Sequence, residues 1–197
     1  MSNFGRRLRE HQVLVSQLID LDKRGVIEEA IALLYSTLSC QLPILICGNG
    51  GSAADALHIS GELVGIFLKP RKACNVICLN ANVSVLTAWT NDYECESVFS
   101  RQVEAHGQLG GICWGISTSG NSQNVVLALK TARELGMKTL GLTGKSGGKM
   151  AQYCDVLIDT PSTITPRIQE LHLLLYHYIC EEVEVRLCQL PQIAMSN

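Results

Sequence analysis

From residue 43 onward the chain alternates short apolar runs with segments of helical periodicity, and this limits the possible folds more than any other feature. The runs fall at 43–47, 74–79, 111–116, 138–142 and 155–158. Candidate helices occupy 52–65, 83–90, 94–106, 122–136 and 147–153, and a long final helix spans 166–190. Strands that are apolar throughout, rather than at every second residue, belong to a parallel sheet covered by helices on both faces. The predicted architecture is therefore an α/β three-layer sandwich around a five-stranded parallel sheet. Ahead of it, 4–20 and 24–41 read as two amphipathic helices. Their apolar residues at helical spacing are Leu8, Val13, Leu14 and Leu18, then Ile27, Ala30, Leu33 and Leu34. Residues 1–197 are read as a single domain, with N-terminal helices in 1–41 and an α/β core in 43–190.

Composition narrows the function. With 197 residues, 47% hydrophobic and 17% charged, the chain can bury a substantial core. A net charge of −2 offers no basic surface, which argues against nucleic-acid binding. The nine cysteines include no Cys-x-x-Cys pair, and Cys47, Cys78 and Cys113 lie inside apolar runs, where a reduced cysteine acts as a small hydrophobe. No N-terminal apolar segment and no apolar run approaching ~18 residues is present, so the reading is neither secreted nor membrane-spanning, and cytoplasmic.

Two strand-to-helix junctions carry the chemistry. In Ser117-Thr118-Ser119-Gly120-Asn121-Ser122 four hydroxyl residues fall within six positions, just after an apolar run and just before a helix. Free backbone N–H groups and the positive helix end converge at such a junction, and hydroxyls add donors. The loop has no Lys or Arg, which suits a sugar phosphate held by neutral donors. Gly48-Asn49-Gly50-Gly51-Ser52 repeats the device one unit earlier. In a parallel sheet both loops lie on the same edge, where open α/β folds bind ligands. Tight turns alone account for the glycines but not for five hydroxyl side chains at two helix starts.

Two other motifs fail their tests. Gly48-x-Gly50-x-x-Ala53 fits a relaxed dinucleotide fingerprint, but the next run ends Leu79-Asn80-Ala81 without the expected acidic residue. Gly144-Lys145-Ser146 resembles the end of a P-loop, but Thr139 stands where its leading glycine belongs. No nucleotide cofactor is expected. His58 and Glu62, four apart, share one face of the helix that leaves the first loop. On the last helix Gln169, His172 and Tyr176 share a face, with His177 about 80° around from Gln169. Polar groups on so apolar a helix need partners, which core hydrogen bonds, a metal or a substrate could provide. His11 and His106 fit no pattern and read as surface or packing residues.

Taken in order, Gly48-Asn49-Gly50-Gly51-Ser52, Asn91-Asp92, the 117–122 loop, Leu142-Thr143-Gly144 and Arg167-Ile168-Gln169-Glu170-Leu171-His172 resemble the sugar isomerase (SIS) domain family. Within it they look like the phosphoheptose isomerases, which act on sedoheptulose 7-phosphate in heptose and lipopolysaccharide precursor synthesis. The likeness covers the chain to about residue 187 and implies a flavodoxin-like SIS fold. It implies that Ser52, Ser117, Thr118, Ser119 and Ser122 hold the phosphate, with Asn49, Gly50 and Gly51 lining the site. Asn91 and Asp92 touch the sugar, Gln169 binds substrate, Glu62 is the base and His177 the acid. Zinc-binding members place the metal on residues matching His58, Glu62, Gln169 and His177. The family also implies a homotetramer with active sites between subunits, bringing the last helix to a neighbour's first loop. Two positions depart from the pattern: Ile66-Phe67-Leu68 stand where a basic residue is common, and Pro166 where an acidic one is. One branch of the same fold binds the replication initiator instead, and a related sugar phosphate is a third reading.

Overall fold

The computed structural model describes residues 3–189. Strands β1 (Ile44–Gly48), β2 (Val76–Cys78), β3 (Ile112–Ser117), β4 (Lys138–Thr143) and β5 (Val156–Asp159) form one sheet of order β2-β1-β3-β4-β5. Every pairing is parallel; Ile44 registers with Val76 on one side and Ile112 on the other. The helices are α1 (Asn3–Asp20), α2 (Arg24–Ser39), α3 (Gly51–Val64), α4 (Val83–Asp92), α5 (Val98–His106), α6 (Gln123–Glu134) and α7 (Thr165–Cys188). The predicted α/β architecture and five-stranded parallel sheet are thus what the chain forms. The last residue of the predicted final helix, 190, lies outside the described residues.

Strand periodicity divides the core in two. Ile44, Ile46, Ile112, Trp114 and Ile116 point to one face, where α2, α3 and α7 cover them. Leu45, Cys47 and Cys113 point to the other, against α5 and α6. β1 and β3 are buried along their whole length, as central strands of a doubly covered sheet must be. Burying each such Ile or Leu side chain contributes about 1.5–3 kcal/mol. All nine cysteines are free, and Cys47, Cys78 and Cys113 lie in the core as expected. Among the described residues no helix is long and apolar enough to cross a membrane.

Four elements differ from the sequence reading. β2 keeps only three residues, Val76–Cys78; just before it the chain turns, and the Cys74 carbonyl accepts the Val76 N–H. The 94–106 segment opens as a 3-10 turn over Cys95–Ser97 before α5, and 147–153 is a 3-10 turn over Gly148–Tyr153. In α1, Leu18 alone is buried, while Leu8 and Val13 face outward.

Candidate active site

The order β2-β1-β3-β4-β5 reverses direction between β1 and β3, and the crevice beyond the carboxyl ends of those two strands is where such sheets take ligands. The loops leaving β1 and β3 are the two hydroxyl-rich junctions. Asn49 and Asn124 exchange side-chain hydrogen bonds of 2.8 and 2.9 Å, tying the first loop to the first turn of α6. Asn80 donates to the Gly48 carbonyl and accepts the Gly48 N–H, fixing the end of β1. That side chain stands where a dinucleotide-binding protein would present its acid.

Backbone conformation shapes both loops. Gly50, the residue before α3, has φ 56°, a conformation L side chains rarely adopt. Neither Gly50 nor Ser122 caps its helix with a side chain, while the Ser52 and Ala53 N–H groups bond to the Asn49 and Gly50 carbonyls and Asn124 Oδ1 accepts the Val125 N–H. Ser122 precedes α6 but turns its hydroxyl to Ser117, Oγ to Oγ 2.9 Å. Ser119 is exposed and its Oγ accepts the Asn121 N–H at 3.1 Å. Ser52 is buried at the first turn of α3, and Thr118 is half-buried. Gly120 (φ 66°) lies so close to Gly147 that any side chain there would strike backbone, and Thr118 accepts the Gly144 N–H. Two facing rows of neutral donors result, suited to a phosphate.

Beside these loops α3 and α7 run together in the same sense. Gly51 lies under the Gln169 amide, Asp55 and His58 meet Tyr176, and His58 meets His177. The last helix thus reaches the first loop of its own chain. Continuous packing of both helices on one sheet face brings them together. His58 Nε2 stands 3.0 Å from Glu62 Oε1 and 3.4 Å from His177 Nε2, and the ligand atoms of all three lie within 4.8 Å of one another. A tetrahedral zinc with bonds of about 2.0–2.1 Å holds neighbouring donors about 3.3–3.5 Å apart, so this donor set fits one.

Behind the triad, the Tyr176 hydroxyl meets His58 Nδ1 at 2.9 Å and Asp55 Oδ1 at 3.5 Å. With Nδ1 so engaged, Nε2 is the nitrogen turned to Glu62 and His177. Burial pushes the Asp55 carboxyl up to about 6, partly offset by its bond to Tyr176 and by His58, and burial raises the Tyr176 hydroxyl. Asp55, Tyr176, Asn80 and Asn124 were not picked out as site residues from the sequence. Asp55 lies one turn before His58, and Tyr176 shares a helical face with Gln169; Asn80 and Asn124 offered no such spacing.

Other residues read from the sequence lie outside these hydrogen-bonded contacts. Asn91 and Asp92 sit exposed on the last turn of α4, bonded to each other at 2.8 Å; among the described residues no hydrogen bond links them to either loop. His172 is fully buried, bonded through Nε2 to the Thr143 carbonyl, and burial lowers its pKa to about 4: it is a core histidine. His11 is a surface residue with a partner sequence spacing could not reveal, Glu170 at 3.0 Å. Lys145 lies in an exposed loop after β4, as its failed P-loop spacing implied.

The SIS domain family model matches residues 8–144. A phosphoheptose isomerase of Crocosphaera subtropica is 49% identical over 161 residues, 82% of each chain. Among solved structures, the phosphoheptose isomerase GmhA from Neisseria gonorrhoeae superimposes with a TM-score of 0.86 at 39% identity, over 92% of this chain and 97% of that one. A phosphoheptose isomerase from Francisella tularensis gives 0.86 at 30% identity, over 94% and 100%. With the hydroxyl loops and the His58–Glu62–His177 cluster in place on a matching fold, the chain belongs to the SIS domain family and, within it, to the phosphoheptose isomerases.

Proposed function

We propose that the protein converts sedoheptulose 7-phosphate to D-glycero-D-manno-heptose 7-phosphate, a precursor of lipopolysaccharide heptose, in the cytoplasm. One observation carries this reading: a carboxylate and a histidine, Glu62 and His177, lie in one cluster beside two loops of neutral phosphate donors. Ser52, Ser117, Thr118, Ser119 and Ser122, with the 49–51 backbone, take the phosphate. That anchors the opposite end of the sugar near Glu62. Asn91 and Asp92 approach the sugar from α4.

Glu62 removes a proton from carbon 1, whose electron pair becomes the carbon 1–carbon 2 double bond. The carbon 2 oxygen gains a proton from His177, giving the enediol. Glu62 then returns its proton to carbon 2, and the carbon 1 oxygen gives one up to His177 as the aldehyde forms. No net oxidant or acid is consumed. Each partner supplies about 10²–10⁴-fold in rate. His58, Glu62 and His177, with Gln169 as fourth ligand, would hold zinc, which when bound polarises substrate oxygens. A carboxylate bound to a metal is a weaker base, so ligand and base roles compete at Glu62.

The working form is a homotetramer with sites between subunits. Its support is the unpaired apolar surface of α1, where Phe4 is 72% and Ile19 74% exposed. Light scattering should return about four times the 21.5 kDa chain mass. Incubation with sedoheptulose 7-phosphate, with and without chelator, tests the reaction. The expected result is the aldose phosphate, with chelator slowing its formation; no conversion under either condition overturns the assignment.

A further inference from the structure

On α7, Glu184 lies seven residues beyond His177, two turns along nearly the same face. Its carboxylate is almost wholly buried, with a side-chain exposure of 1%. It accepts three successive backbone N–H groups, from Phe67 at 3.1 Å, Leu68 at 2.7 Å and Lys69 at 2.9 Å. Such a nest wraps an anion from one side. Arg71, also buried, closes the other side with Nε 3.2 Å from Oε1, a charge contact without an aligned hydrogen bond. The rest of the Arg71 guanidinium turns back to α3 and donates to the Glu62 carbonyl at 2.7 Å and the Leu63 carbonyl at 2.9 Å. These are among the last carbonyls of α3, which have no partner inside the helix.

The cluster therefore joins three parts of the site. It grips α7 below His177, it grips α3 at Glu62 itself, and it folds the 65–71 segment so that the Phe67 ring meets the His177 ring at 5.7 Å between centroids. We infer that Glu184 is a positioning residue for the isomerase: through Arg71 and the 67–69 backbone it fixes Phe67 as a wall against His177 and sets the end of α3 that carries Glu62. The inference rests on the acid–base roles proposed above for its kinetic consequence, but not for its geometry. A buried carboxylate and guanidinium are costly to desolvate, and an apolar pair of similar shape often serves stability as well. Holding two catalytic side chains in register is a use that an apolar pair could not meet, because only a carboxylate gathers three N–H groups.

The test is a double-variant cycle on the full-length protein with Glu184→Gln and Phe67→Leu, read by kcat, by KM and by the His177 ring resonances. Displacing reacting groups by about 1 Å costs on the order of 10²-fold, so Glu184→Gln should lower kcat by about 10–100-fold. KM for the sugar phosphate, set at the distant phosphate loops, should stay unchanged. Phe67→Leu should lower kcat similarly, and the double variant should lose little more than either, since both act on one wall. Both single variants should shift the same His177 resonance through loss of the Phe67 ring. If Glu184→Gln does not fold, Arg71→Lys runs the same cycle, because one ammonium cannot serve both carbonyls and the carboxylate. Losses in kcat that multiply, or a His177 resonance unmoved by Glu184→Gln or Arg71→Lys, overturn the inference. Retained turnover by Glu62→Gln would instead sink the acid–base assignment and leave the resonance result standing.

Discussion

Gly51 is the point where the phosphate loop and the last helix touch, and Gly51→Ala separates the site's geometry from the fold's stability. A methyl carbon added there would stand 2.7 Å from Gln169 Cδ, against the 3.4 Å of ordinary contact. Cδ must retreat by about 0.7 Å, and the amide nitrogen, which stands closer, by more. The atoms in the way are the far end of a flexible side chain, so the backbone need not move. Gly51 is the first residue of α3, and alanine there gains up to ~1 kcal/mol in helix propensity. For a chain of this size that is about 2–4 °C at most in the unfolding midpoint. The displaced amide is the group proposed to hold substrate and metal, and a misplacement approaching 1 Å costs about 10²-fold in rate. Gly51→Ala should therefore unfold at or slightly above the wild-type temperature while converting sedoheptulose 7-phosphate about 10²-fold more slowly. Calorimetry and a fixed-time product assay read the two quantities. Full turnover would show that the position of Gln169 does not matter, and a large drop in midpoint would show that the clash reaches the backbone. Gly120→Ala is the contrasting case: its Cβ would fall 2.5 Å from the Gly147 carbonyl carbon at φ 66°, so stability and activity should be lost together.

Two further outcomes follow from named groups. Burial holds His172 near 4 in the fold against 6.5 in the unfolded chain. Between those values the unfolded state binds more protons, so stability is whole above pH 6.5 and falls by about 3 kcal/mol as pH drops to 4. Urea titrations across that range should show this loss and a shallower one in His172→Gln; equal slopes would contradict it. Tyr176→Phe removes the bond to His58 Nδ1 and should weaken zinc binding about 10–100-fold in a chelator competition, whereas unchanged affinity would deny Tyr176 a role in orienting His58.

The sheet was legible because β1, β3 and β4 must be apolar on both faces, and runs such as 111–116 have no other use. The two loops were legible because hydroxyls and glycines cluster within a few residues of a strand end. The His58–Glu62 pair could be read because helical spacing is local. What pairs across the chain could not: Asn49 finds Asn124 75 residues away, and Tyr176 finds His58 118 residues away. Neither partner carries a mark of the other. α3 and α7 meet within one chain because they share a sheet face, which no local spacing announces. His172 shares a helical face with Gln169 and Tyr176, and that turn of α7 passes under the Thr143 carbonyl.

The assignment of Glu62 as the proton carrier is the claim on which the rest depends. Incubating sedoheptulose 7-phosphate with protein in deuterium oxide and reading the product by NMR tests it directly. Wild-type protein should place deuterium at carbon 2 of the aldose phosphate and at carbon 1 of recovered substrate. Glu62→Gln should form no product and leave carbon 1 fully protonated, with the substrate still bound by the phosphate loops. Product formation and exchange by Glu62→Gln at the wild-type rate would show that the proton travels by another group.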